Sequence, residues 1–168
     1  MDSMLISFFI GVLLFTVYTV IAECLFGITT SLSETYYKLE KPAGCLFTIT
    51  LLATSFFIAP LWFDITDENL TFSVFLAVGG LMLVGVAPLF KGVDHKWHEA
   101  FAIICAAFAI LWQMLNGQYW EAPAFLALFA GIGALTKTLK KCKTFWLEMA
   151  AFGSTFTSIF IKYITNEI

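Results

Sequence analysis

The chain has 168 residues, 60% of them hydrophobic and 12% charged, with a mean hydropathy of +0.89. Soluble domains carry roughly 25% charged residues, so a soluble fold, a disordered chain and a disulfide-rich secreted scaffold are excluded. A net charge of -3 without any Arg excludes a nucleic-acid binder as well.

A membrane-spanning helix needs roughly 20 mostly apolar residues. Six segments are predicted to cross, at about 4–28, 45–63, 70–90, 98–115, 119–136 and 145–164. The first stays uncharged until Glu23. It is too long, and lacks the basic start, for a cleavable signal peptide. The second and third carry Pro60 and Pro88 near their ends, where a kink or a stop is expected. The fourth opens on His98. The fifth is the weakest, with Glu121 and Pro123 at its start. The sixth carries Glu148 and Lys162. These runs are continuous, unlike the alternating strands of a membrane barrel. The expected fold is an all-α, polytopic bundle of six transmembrane helices in a single domain, residues 1–168, with no room for a soluble domain.

All nine cations are Lys. Lys38 and Lys41 lie in the first loop, Lys91 and Lys96 in the third, and Lys137, Lys140, Lys141 and Lys143 in the fifth. The second and fourth loops have none. The positive-inside rule places the odd loops in the cytoplasm and both termini outside. Lys162 snorkels to the outer interface. The expected location is a bacterial inner membrane. Trp62, Trp112 and Trp120 are expected in an outer aromatic belt, and Trp97 and Trp146 in an inner one. Cys24, Cys45, Cys105 and Cys142 read as free thiols, because three lie near the reducing face and one in mid-span.

Small residues should hold the helices together, since lipid is as apolar as Leu. The candidates are Ala102 and Ala106, Ala127 and Gly131, Gly79, Gly80 and Gly85, and Ala150, Gly153 and Ser154. They serve either one bundle or a homo-oligomer interface.

Polar groups within the spans point to function. Thr16, Thr19 and Glu23 share one face of the first span. Glu148, Thr155, Ser158 and Lys162 share one face of the sixth. The helix directions bring Glu23 and Glu148 to the cytoplasmic end, beside Ser33 and Tyr37 of the first loop and His98 of the fourth span. Glu23, Ser33, Tyr37, His98 and Glu148 are the candidate ligand-binding set. Thr16, Thr19, Thr155 and Ser158 are the candidate polar stripe. Asp94, His95 and His98 hold the residue types of a metal or acid–base site. Their spacing is not that of a zinc helix, so no metal or other cofactor is expected. Ser31 and Glu34 match a capping box.

The string Ser31-Leu-Ser33-Glu-Thr-Tyr36-Tyr37, the run Gly80-Leu-Met-Leu-Val-Gly85 and His98 opening the fourth span resemble small six-helix membrane families of the Frag1/DRAM type. The resemblance implies a six-helix bundle and a membrane lipid as partner; it implies no catalytic residues. The first functional expectation is a non-catalytic protein that binds a lipid or other hydrophobic molecule near the cytoplasmic face. One alternative is an oligomeric channel lined by spans one, two and six. The other is a membrane-embedded hydrolase or transferase using Asp94, His95 and His98.

Overall fold

The computed structural model describes residues 3–39, 43–89 and 95–167, and for residues 95, 96 and 167 it describes the backbone alone. Every regular element among the described residues is helical. In chain order they are α1 (Ser3–Phe26), α2 (Glu34–Lys38), α3 (Cys45–Asp64), α4 (Thr71–Val86), α5 (His95–Leu115), α6 (Glu121–Leu135) and α7 (Lys143–Glu167). Short 3₁₀ turns, Glu68–Leu70 and Ala87–Leu89, flank α4. Among the described residues, four helical segments are long and apolar enough to cross a membrane: Ser3–Phe26, Cys45–Asp64, Glu68–Leu89 and Trp97–Leu115. α6 is apolar but has only 15 residues. α7 has 25 residues and is more polar, with Glu148, Lys162 and a run of hydroxyls.

Neighbours in sequence pack as neighbours in space: α1 on α3, α3 on α4, α4 on α5, and α6 on α7. Short connections favour this antiparallel order. α7 then also packs against α3 and α5. It runs antiparallel to α1. Phe145 of α7 meets Thr30 just beyond α1, and Phe152 meets Phe15, Phe156 meets Phe8 and Phe160 meets Phe9. The start of α1 and the end of α7 therefore share one end of the bundle.

Packing rather than burial from water must hold such helices together. A Cβ on Gly80 would lie 2.9 Å from the backbone nitrogen of Cys105, so glycine lets α4 and α5 touch backbone to backbone. Gly79 and Gly131 face open space instead, so of the small residues named above these two make no close approach. The outer surface is apolar: Leu13, Leu25, Ile103 and Phe75 are each more than 60% exposed. A surface like that suits lipid, not water.

Three of the five Trp do not form the expected belt. Trp62 and Trp112 are buried edge to face against each other, at 5.5 Å between ring centres. Trp112 donates to Thr66 Oγ1 at 2.8 Å. Trp146 is buried too, and its indole N–H reaches Thr138 Oγ1 at 3.1 Å. Near a helix end, a hydroxyl on the adjoining turn offers the indole a partner inside the protein. Only Trp97 and Trp120 are exposed. All four Cys are free thiols.

Candidate functional site

The polar groups of the bundle gather at two places along α7, one at its start and one near its middle. The first is the turn between α1 and α2. α1 stops at Phe26 because Gly27 takes φ 67° and sends its N–H back to Glu23 O at 2.8 Å. The chain then crosses the start of α7. Thr30 O accepts the N–H of Phe145 at 3.0 Å, one of the orphan donors of that helix end. In return, the carboxylate of Glu148 accepts the N–H of Leu32 at 2.6 Å. A capping box makes the same reciprocal exchange within one segment; here two segments distant in sequence share it. Thr35 Oγ1 bonds Leu32 O at 2.6 Å and Tyr18 OH at 2.5 Å, tying α1, α2 and the turn together.

The expected Ser31–Glu34 box is displaced. Glu34 reaches back to the N–H and hydroxyl of Thr30 instead, at 2.8 and 2.6 Å. Residues 31–36 start as tight turns whose N–H groups bond three residues back, and this shifts the spacing by one. Those two bonds, joined by Lys38 at 3.1 Å, hold the Glu34 carboxyl below its ordinary pKa.

Of the candidate ligand-binding set, Ser33 and Glu148 come together. They line a cavity of about 30 Å³ with Leu32, Phe47, Leu51, Val84 and Phe152. That is water-sized. Glu23 is half-buried on the last turn of α1 and pairs with no described residue. Tyr37 is 72% exposed and meets the edge of Tyr36. His98 is half-buried on the first turn of α5 and lines neither this cavity nor the cleft described below. Asp94, Lys41 and Lys91 lie outside the described residues, and His95 and Lys96 are described as backbone only. Among the described residues no three His, Cys, Asp or Glu side chains converge.

The four stripe residues divide. Thr16 is exposed and Thr19 buried, and each donates to its own helix, to Val12 O and Phe15 O. Thr155 and Ser158 are buried and belong to the second polar place.

That second place is a cleft of about 370 Å³ between α5, α6 and α7. Ile110, Met114, Ala122, Pro123, Leu126, Leu147, Ala150 and Ala151 make its apolar walls, and Gln113, Gln118, Tyr119 and Ser154 its polar part. It exists because α6 leans on α7 alone among the long helices with substantial contact, leaving a gap toward α5. The α5 terminus explains the two glutamines. Gly117, at φ 77°, lets Gln118 N–H bond Gln113 O at 3.0 Å while its own N–H bonds Met114 O at 3.1 Å. This is the Schellman ending, which sets the residue after the glycine beside the one four before it. Those two positions usually hold an apolar pair; here both are Gln.

Both amides are buried, Gln113 at 1% exposure and Gln118 at 9%. Gln113 Nε2 meets Thr155 Oγ1 at 3.2 Å, and Gln118 Nε2 donates to Ser158 O at 2.9 Å. Gln113 Oε1, Gln118 Oε1 and Ser158 Oγ find no partner among the described residues. Sequence reasoning missed the glutamines. The available signal was an amide inside an apolar run, followed by Asn116-Gly117 as a helix stop.

No family model, no curated protein and no solved structure matches the chain.

Proposed function

We propose that this is a six-span integral membrane protein that binds a hydrophobic ligand, without catalysis, in the cleft between α5, α6 and α7. The observation that carries the reading is the cleft itself: about 370 Å³, walled mostly by aliphatic side chains, with Gln113, Gln118, Tyr119 and Ser154 as its polar lining residues. Ligand sites are typically concave, mostly apolar and furnished with a few polar groups. In this reading α6 and α7 are the fifth and sixth spans. α7 matches the depth of α1 through its antiparallel register, and the shorter α6 is accommodated by local thinning of the bilayer. The Lys-bearing loops face the cytoplasm of a bacterial inner membrane and both termini face outward, so the cleft opens in the outer leaflet. The Ser33–Glu148 region then serves as the lock that seats the α1–α2 turn on α7.

The channel reading has less support. The hydroxyls of Thr16, Thr19 and Ser55 are spent on carbonyls of their own helices.

Native mass spectrometry of gently extracted protein tests the proposal. Wild type should carry one amphiphile per chain. Ala151→Trp, which fills the cleft, should lose it, while Leu128→Trp on an exposed face of α6 should keep it. Wild type that is bare and takes up no added hydrophobe would overturn the reading.

A further inference from the structure

We propose that the loop between α6 and α7 is a binding surface for the phosphate of an anionic phospholipid, held by Lys137, Lys140, Lys141 and Lys143. This goes beyond the cleft. It rests on one part of the reading above, that α6 and α7 cross the bilayer and leave this loop at its surface.

Charge is the first observation. Four Lys fall within the stretch 137–143, and the chain holds no acid between Glu121 and Glu148, although its net charge is -3. All four are exposed. Among the described residues none of them makes an ion pair. The acids at this end of the bundle are engaged elsewhere: Glu148 accepts the Leu32 N–H, and Glu34 holds Thr30 and Lys38.

Rigidity is the second. The N–H groups of Thr138 and Leu139 both bond Gly133 O at 2.9 Å, and that of Cys142 bonds Thr138 O at 2.8 Å. The Trp146 indole holds Thr138 Oγ1 at 3.1 Å. Cys142 and Leu139 pack into one core cluster below the loop. The backbone is therefore fixed before a ligand arrives, and binding has only the Lys side chains left to order.

Lys137 is the third. Its φ of 59° closes α6 with the left-handed ending that favours glycine. A helix stop alone is better made by glycine, and the positive-inside rule is met by a Lys anywhere in the loop. Neither accounts for a Lys at the strained position, whereas use of its side chain does. An ammonium suits a phosphate as a point charge with three donors. Clusters of four or more cations next to a span attract anionic headgroups. Leu135, exposed two residues before Lys137, offers an apolar side chain to the tails of the same lipid.

The test titrates the full chain, in a mild non-ionic detergent, with phosphatidylglycerol or phosphatidylcholine of identical tails. Native mass spectrometry counts the bound lipid. Phosphatidylglycerol should bind about tenfold or more tightly. Lys137→Gly should weaken it about fivefold, the worth of one Lys at an anionic surface, while raising the unfolding temperature. A merely structural Lys137 would give the second change without the first. Replacing Lys140, Lys141 and Lys143 together by Gln should remove the preference. Lys162→Gln at the other end of α7, and Ala151→Trp in the cleft, should leave it intact. Equal binding of the two lipids by wild type, or a preference that survives both loop variants, would overturn the proposal. Displacement of the lipid by equimolar inorganic phosphate would overturn it in favour of a free anion. In nanodiscs, a membrane-impermeant maleimide should add no label to Leu128→Cys beyond that of wild type. An added label there would overturn the span on which the proposal rests.

Discussion

Glu148 of α7 accepts the backbone N–H of Leu32, 116 residues earlier in the chain, at 2.6 Å. Leu32 is 3% exposed, so its N–H has little access to water. Glu148→Ala should therefore strand a buried donor and destabilise the protein by about 1–3 kcal/mol. Glu148→Gln keeps an acceptor oxygen and should cost less. Thermal unfolding of both variants in one detergent checks the order, and equal losses would show that the bond contributes nothing.

Gly80 and Gly79 provide a matched pair. A Cβ at Gly80 would sit 2.9 Å from Cys105 N and 3.0 Å from Cys105 Cα, so backbone would have to move. Gly80→Ala should cost about 1–3 kcal/mol, the range for overpacking. A Cβ at Gly79 meets nothing within 4 Å, and Gly79→Ala should be neutral or stabilise by up to about 1 kcal/mol through helix propensity. Denaturation midpoints of the two variants should move in opposite directions or differ plainly in size.

Lys137 is strained. It holds φ 59° at the end of α6, where its N–H bonds Ala134 O at 3.0 Å and Thr138 N–H bonds Gly133 O at 2.9 Å. The left-handed conformation costs a side-chain-bearing residue roughly 1–2 kcal/mol. Lys137→Gly should raise stability by about 1 kcal/mol, read as a higher unfolding temperature.

Glu34 predicts an acid limit for the α1–α2 turn. Its hydrogen bonds from Thr30, and then Lys38, lower its pKa from an ordinary 4.5. A depressed carboxyl stabilises the fold fully above the unfolded value and loses that contribution as pH falls through the folded one. Hydrogen-exchange protection at residues 30–38, corrected for the intrinsic pH dependence of exchange, should fall below about pH 4.5 in wild type. In Glu34→Gln that protection should be lower at neutral pH and change less with acidification.

The helical class, the order of the elements and the apolar outer surface were legible in the chain. Runs such as 4–28 contain too little polarity for any other fate, because a backbone in lipid must bond within its own segment. Helix direction also brought Glu148 and the first loop to one end, where they meet. The Trp side chains were not legible in this way. Depth along a helix follows from sequence position, whereas inward or outward facing at that depth depends on the neighbours. Trp62 and Trp112 turned in because they pack edge to face on each other and Thr66 offers an acceptor to Trp112.

By itself, then, the sequence determined that this chain is a set of apolar helices in alternating directions, with all its cations but Lys162 at or beside alternate loops. Local composition is enough for that, since hydrophobic length and backbone hydrogen bonding act within a segment. The tertiary structure decided where the cleft lies. The cleft depends on α6 standing away from α5, and the paired amides depend on a turn at Gly117 that brings Gln113 and Gln118 together against α7. No segment contains that arrangement, because a cavity belongs to the space between helices.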